Sequence, residues 1–311
     1  MSILICGSLA YDTIMVFPEK FQDHILPDRL HILNVSFLVP EMRREYGGCA
    51  GNIAYNLNLI GGEGLIMATV GDDFSPYADR LGVLGLNMEH ITSVSGTYTA
   101  QAFITTDIAD NQITAFHPGA MSYSHVNHVS TAKGAKLGII APDGREGMLQ
   151  HAAEFYHAGI PFIFDPGQGL PMFSAEELLE FIRQAFCVTL NDYEAGLLMY
   201  RTGLSRDEIL SQVEALVITR GEAGATIYAD GQEIDIPSIK PRQLLDPTGC
   251  GDAFRAGLLY GIEQDLDWET TGRLASLMGS IKIASRGGQN HVVSRQEIID
   301  LYNDAFGYTF A

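Results

Sequence analysis

Short apolar runs alternate with longer helix-like segments through the middle of this chain. The runs fall at 65–70, 137–140, 162–164 and 188–190, and the helical segments at 77–84, 148–157 and 175–186. Such alternation argues for an α/β fold: a doubly wound, mostly parallel sheet with helices on both faces and right-handed crossovers. Ser2–Cys6 (SILIC) is a continuous apolar run meeting Gly7-Ser8, as expected of a first strand buried on both faces. Residues 216–224 (LVITRGEAG) read as a strand entering a glycine-bounded loop, and 270–284 and 295–305 as late helices. Ligands of open α/β sheets collect outside the carboxyl ends of the strands. The loops that matter are therefore those holding Asp12, Asp143-Gly144, Asp165-Pro166-Gly167-Gln168 and Asn191-Asp192-Tyr193-Glu194.

With 311 residues, 46% hydrophobic and 18% charged, the chain has ample apolar material for a core, as one large domain or two smaller ones. Its net charge of −19 argues against nucleic acid or an anionic membrane as the main partner. Any anionic ligand must be held locally. Cys6, Cys49, Cys187 and Cys250 are scattered without metal-ligand spacing, which favours a reducing, cytoplasmic setting. The apolar start lacks a basic leader pattern and is interrupted by Asp12, so it is expected to be a strand and not a signal peptide. No apolar run approaches the roughly 20 residues of a membrane span.

The most chemically loaded stretch is 245–261, LDPTGCGDAFRAGLLYG. Gly249-Cys250-Gly251 before an apolar helical run allows a tight turn that points N–H groups at one spot. The helix start adds partial positive charge there, which suits a phosphate. Asp252 stands where a carboxylate can take a proton from a hydroxyl beside that phosphate. An ordinary helix start with a capping Asp is the competing explanation. Gly47-Gly48, ahead of a helical pattern through Asn52, Tyr55, Asn56 and Leu59, permits close backbone approach to a ligand. Asp12, after the first strand, can accept hydrogen bonds from vicinal hydroxyls, or simply serve a turn. Between these motifs, residues 13–46 and 97–117 read as two β-rich insertions forming a small lid, with strand formers at 30–39 and a hairpin across Asp107 and Gln112. Exposed lid edges would equally serve as a homodimer surface.

D-P-T-G-C-G-D-A-F resembles the C-terminal signature of the ribokinase (PfkB) family of carbohydrate and nucleoside kinases. The resemblance implies an anion hole at Gly249, Cys250 and Gly251, with Asp252 as catalytic base. G-G-x-x-x-N is similar to the family's N-terminal signature, and implies that Gly47, Gly48 and Asn52, with Ser8 and Asp12, contact the acceptor's hydroxyls. N-x-x-E implies Asn191 near the ATP phosphates and Glu194 acting on Mg²⁺ through water. T-x-G-x-x-G implies Thr219, Gly221 and Gly224 at the nucleotide. The SRGGQN segment, with Gly288, would pack the adenine. These motifs occur in family order along nearly the whole chain, as expected for a single kinase domain over 1–311 using ATP, Mg²⁺ and a monovalent cation such as K⁺. One departure bears on that cation: where relatives read E-x-x-G-T-Q, this chain has Ala284-Ser285-Arg286-Gly287-Gly288-Gln289.

Within the family, GSLAYDTIMVFPEKF, FHPGAM and DPGQGL resemble the bacterial adenosine-kinase branch. That implies γ-phosphate transfer to the adenosine 5′-hydroxyl, with Phe116 stacking on the base and Gln168 at its edge. A sugar kinase of the same fold is the nearer alternative. An NAD-binding dehydrogenase is remote, because G-x-G-x-x-G is absent after the first strand. The lid is expected to close over the acceptor and expel water.

Overall fold

The computed structural model describes residues 2–25, 31–32, 34–109 and 111–311. The first half contains β1 (Ser2–Cys6), β2 (Ala10–Val16), β3 (Glu41–Gly47), α1 (Cys49–Ile60), β4 (Glu63–Val70), α2 (Ser75–Val83), β5 (Ile91–Ser93), β6 (Ala100–Thr106), β7 (Gln112–His117), β8 (Ala135–Ile140) and α3 (Arg145–Ala158). The second contains β9 (Phe162–Phe164), α4 (Ala175–Gln184), β10 (Cys187–Asn191), α5 (Asp192–Thr202), α6 (Arg206–Leu210), β11 (Ala215–Thr219), β12 (Ala225–Ala229), β13 (Gln232–Ile236), α7 (Cys250–Glu263), α8 (Trp268–Ile283) and α9 (Arg295–Phe306).

Nine strands form the main sheet in the order β13-β12-β11-β10-β9-β8-β1-β4-β5. From β11 to β5 every neighbour is parallel, and β12, antiparallel to both β11 and β13, is the strand that runs against the others. Alternate side chains of β1 explain the double winding. Ile3 and Ile5 join a core with residues of α1, α7, α8 and α9, while Leu4 and Cys6 join another with α3, α4 and α5. Among the described residues, four helices begin with reciprocal capping boxes, including Ser174 with Glu177 and Asn191 with Glu194. The β12–β13 hairpin is not apparent from the motif reading of this region. Its signal is Asp230-Gly231, both at positive φ (54° and 69°), between two alternating runs.

A smaller sheet, β3-β2-β6-β7, carries the β-rich insertions. The hairpin expected across Asp107 and Gln112 is present as β6 and β7, and Asp107 accepts the N–H groups of Ala109, Asn111 and Phe21. The strand expected at 30–39 differs. Residues 30 and 33 lie outside the described residues, and 34–39 form no strand. Phe37 instead packs on Phe17 and Phe21, with ring centroids 4.8 and 5.0 Å apart, and β2 pairs with β3 further along.

Packing of α7 along α8 depends on Gly257, where an added Cβ would come within 2.6 Å of the Ala275 Cα. Gly196, on the exposed side of α5, has nothing within 4 Å. Thermal unfolding should therefore separate two identical substitutions. Gly196→Ala is expected to stabilise by about 0.5–1 kcal/mol, and Gly257→Ala to destabilise by about 1–3 kcal/mol through overpacking.

Candidate active site

Two glycine turns bring the ends of α1 and α7 together. Gly48 caps α1 with φ 85°, and a Cβ there would lie 2.5 Å from the Ser8 carbonyl oxygen. A Cβ on Gly47 would lie 2.5 Å from Asp12 Oδ2, so this glycine leaves room for the carboxylate. Ser8 Oγ accepts the N–H of Cys49 at 3.3 Å, which stands in for the side-chain cap that Gly48 lacks. Gly249 caps α7 with φ 79°, and its turn packs on Gly288, whose Cα would sit 3.2 Å from an added Cβ. Across the seam Asn52 Nδ2 donates to Asp252 Oδ2 at 2.8 Å.

Asn52 is itself held. Gln289 Nε2 donates to Asn52 Oδ1 (3.1 Å) and contacts the Tyr77 hydroxyl (2.6 Å), which donates to the Gly47 carbonyl (2.8 Å). This buried network joins the Gly47-Gly48 turn to Asp252. Withdrawal from water pushes Asp252 up to about 6, helped by Asp165 and opposed by Asn52 and Arg255. Asp12 also rises to about 6, chiefly through withdrawal from water and then through Asp252, Asp246 and Glu45. Both carboxylates thus titrate close to neutrality, where a general base works best.

Motif reading misses an ion pair beneath this pair. Arg255, one turn after Asp252, makes two bonds to Asp165, 3.0 and 2.9 Å, with both side chains at least nine-tenths buried. The loop signal after β9 includes Asp165, but the partner lies 90 residues away. Asn191 and Glu194 cap α5 reciprocally: Glu194 Oε2 accepts the N–H of Asn191 at 2.8 Å, and Asn191 Oδ1 accepts that of Glu194 at 2.7 Å. Burial raises Glu194 despite that hydrogen bond. Its other oxygen takes no part in the box.

Beside the α7 turn lies a cleft of about 550 Å³. Thr219, Gly221 and Gly224 line one wall, Cys250, Gly251 and Phe254 another, and Leu244 and Ile283 add apolar surface. Arg220, adjacent to that wall, is engaged by Thr226 and by Asp235 (3.3 Å) and is turned into the sheet. Cys250 donates its N–H to the Pro247 carbonyl at 3.1 Å, so this residue's N–H closes the turn instead of pointing to a ligand. Gly288 stands outside the cleft lining, against Asn52 and Gly249. A Cβ there would come within 2.3 Å of Asn52 Oδ1.

On the small sheet, Glu45, Asp12, Ala102 and Phe116 occupy one cross-strand row. Residues in such a row project from the same face, so Phe116 shares the face of Asp12, and it is 52% exposed. Gln168 is exposed in the turn that follows Asp165.

Comparison with known proteins identifies the family. The pfkB family carbohydrate kinase model matches residues 11–295. A nucleoside kinase of Methanocaldococcus jannaschii is 32% identical over 270 residues, covering 86% of this chain and 88% of that one. Ribokinase of Bacillus subtilis is 26% identical over 262 residues, 82% of this chain and 87% of its own. Among solved structures, Burkholderia thailandensis nucleoside kinase in complex with inosine superposes with a TM-score of 0.91 at 56% identity, over 99% of both chains. Its complex with ADP-inosine gives 0.88 at 57% identity, over 99% of this chain and 97% of that one. The chain belongs to the pfkB family of carbohydrate kinases, and is a nucleoside or sugar kinase of the ribokinase fold that phosphorylates a hydroxyl acceptor.

Removing one partner of the Arg255–Asp165 pair leaves a buried charge without compensation. Asp165→Ala should cost about 3–5 kcal/mol in a denaturant titration. A loss below about 1 kcal/mol, typical of exposed pairs, would show that the arginine is readily resolvated.

Proposed function

We propose that the chain is an ATP-dependent nucleoside kinase that transfers the γ-phosphoryl group to the 5′-hydroxyl of a purine nucleoside. The observation that carries this is Asp252. It is a carboxylate raised to about 6 at the positive end of α7, held by Asn52, beside both a glycine turn and Asp12. ATP fits the 550 Å³ cleft, with its sugar and base against the apolar wall and its phosphates toward Gly251. Mg²⁺ would be held by the phosphates together with waters. Glu194, with one oxygen free of its capping box, would hold a water of that ion. When bound, the ion spreads charge from the transferring phosphoryl group.

The chain's own residues then position and deprotonate the acceptor. Asp12 accepts the ribose hydroxyls, in room left by Gly47 and Gly48. Asp252 takes the proton of the attacking hydroxyl, and the N–H groups of the α7 start, with that of Gly251 foremost, face the negative charge. Phe116, on the Asp12 face of the small sheet, offers a ring to the base, and Gln168 a polar edge. An acceptor with a base uses both parts of this face, whereas a free sugar uses only Asp12. Inosine in the Burkholderia thailandensis relative supports the nucleoside reading, and adenosine is the acceptor implied by the sequence resemblance. The small sheet closes over the acceptor to exclude water. β7 is exposed along its length and is the edge through which two copies would pair. Four free cysteines fit a cytoplasmic enzyme, and no described helix is long and apolar enough to cross a membrane.

Turnover with MgATP should be measured for adenosine, inosine, guanosine, ribose and fructose. A kcat/KM for the best nucleoside at least about tenfold above either sugar is expected, one tenfold step being about 1.4 kcal/mol of recognition. Preference for ribose or fructose would discard the base-binding face. Asp252→Asn should lower kcat by about 100- to 10,000-fold with little change in nucleoside affinity, and near-normal turnover would overturn its role as base.

A further inference from the structure

Lys282, at the end of α8, is fully buried. Its ammonium donates to two main-chain carbonyls, Asp246 at 2.7 Å and Ser285 at 3.1 Å. These carbonyls belong to the two loops that frame the α7 start. The first opens the DPTGCGD turn; the second opens the segment whose Gly288 packs under Gly249. The same loops are joined again by the Asp246 carboxylate, which accepts the N–H groups of Gly287 (2.8 Å) and Thr248 (2.9 Å). Leu245 and Asp246 both donate to the Ile283 carbonyl, next to Lys282.

A buried ammonium is costly unless its donors are satisfied. Among the described residues this one is satisfied by carbonyl dipoles, with no carboxylate in ion-pair contact. Main-chain carbonyls gathered around a compact positive charge are also how proteins replace the hydration shell of K⁺. An exchangeable ion behind this turn would need the inward carbonyls that Lys282 already holds. The residues present therefore do not fit the monovalent cation that the family resemblance implies.

We propose that Lys282 is a built-in cation that braces the anion-binding turn in place of an exchangeable monovalent ion, so that phosphoryl transfer by this chain does not require K⁺. Lys282 touches neither nucleotide cleft nor acceptor face. It is a positioning residue that acts by holding the Asp246 and Ser285 loops, and with them Gly249 to Asp252, in register. The inference rests on the kinase reading above, which turnover in any salt tests separately.

Initial rates with MgATP and the best nucleoside should be compared at constant ionic strength in potassium, sodium and tetramethylammonium chloride. The expected result for the unmodified protein is a kcat equal within about twofold in all three, together with an unchanged Tm. Activation by K⁺ of fivefold or more over tetramethylammonium would overturn the proposal. Lys282→Met removes the charge but keeps an unbranched stem. In tetramethylammonium it should lose at least tenfold in kcat, with the nucleoside KM little changed. Addition of K⁺ or ammonium should restore rate and Tm saturably. A folded variant that is impaired but indifferent to K⁺ and ammonium would reduce Lys282 to a packing role and refute it. If the variant does not fold, the salt series on the unmodified protein decides alone.

Discussion

A carboxylate that removes a proton from an alcohol must be drawn out of water far enough to become basic, yet remain able to ionise near neutral pH. For the base proposed here, Asp252, Asn52 would reconcile these demands through one hydrogen bond of 2.8 Å between residues 200 apart in sequence. Much of the rest follows from making that bond possible. Gly48 and Gly249 let two helix starts approach the same point, Gly288 leaves space for the Asn52 amide, and the α1–α7 packing fixes their separation. The network through Gln289 and Tyr77 to the Gly47 carbonyl then prevents Asn52 from turning away.

Charge around this bond is unusually one-sided for a chain of net charge −19. Asp12, Asp165 and Glu194 share the centre with Asp252, and positive charge comes from within: Arg255 paired to Asp165, Lys282 behind the turn, and the helix dipole of α7. Arg255 and Lys282 are buried behind the turn, while Lys240 lines the cleft from the exposed side. Withdrawal from water raises Asp12 and Asp252 together at this centre.

Much of this was legible in the sequence, because strand–helix alternation and glycine turns are local signals. They place the parallel sheet, both helix starts and the β6–β7 hairpin. What escaped was nonlocal or weakly marked. Arg255, Gln289 and Lys282 lie in helical or loop segments where nothing nearby distinguishes them from ordinary polar residues, and their partners are 90, 212 and 36 residues distant. Residues 34–39 have strand-like composition, but Phe37 serves an aromatic cluster and the ladder forms at β3, whose charged EMRREYG hides its alternation. Asn191 and Glu194 show the opposite limit, since the spacing that suggests a phosphate-side pair is also that of a capping box, and the structure contains the box.

The central claim is that Asp252 works as a base whose ionisation is shifted by its surroundings, so the pH dependence of kcat/KM for a nucleoside tests it most directly. A group raised from 3.8 to about 6 is inactive as a base below that value and active above it. The rate should therefore climb with pH through a midpoint near 6 and level off toward pH 8, with Asp12 titrating in the same window. A midpoint at the ordinary carboxylate value near 4, or a flat profile across that range, would contradict the account.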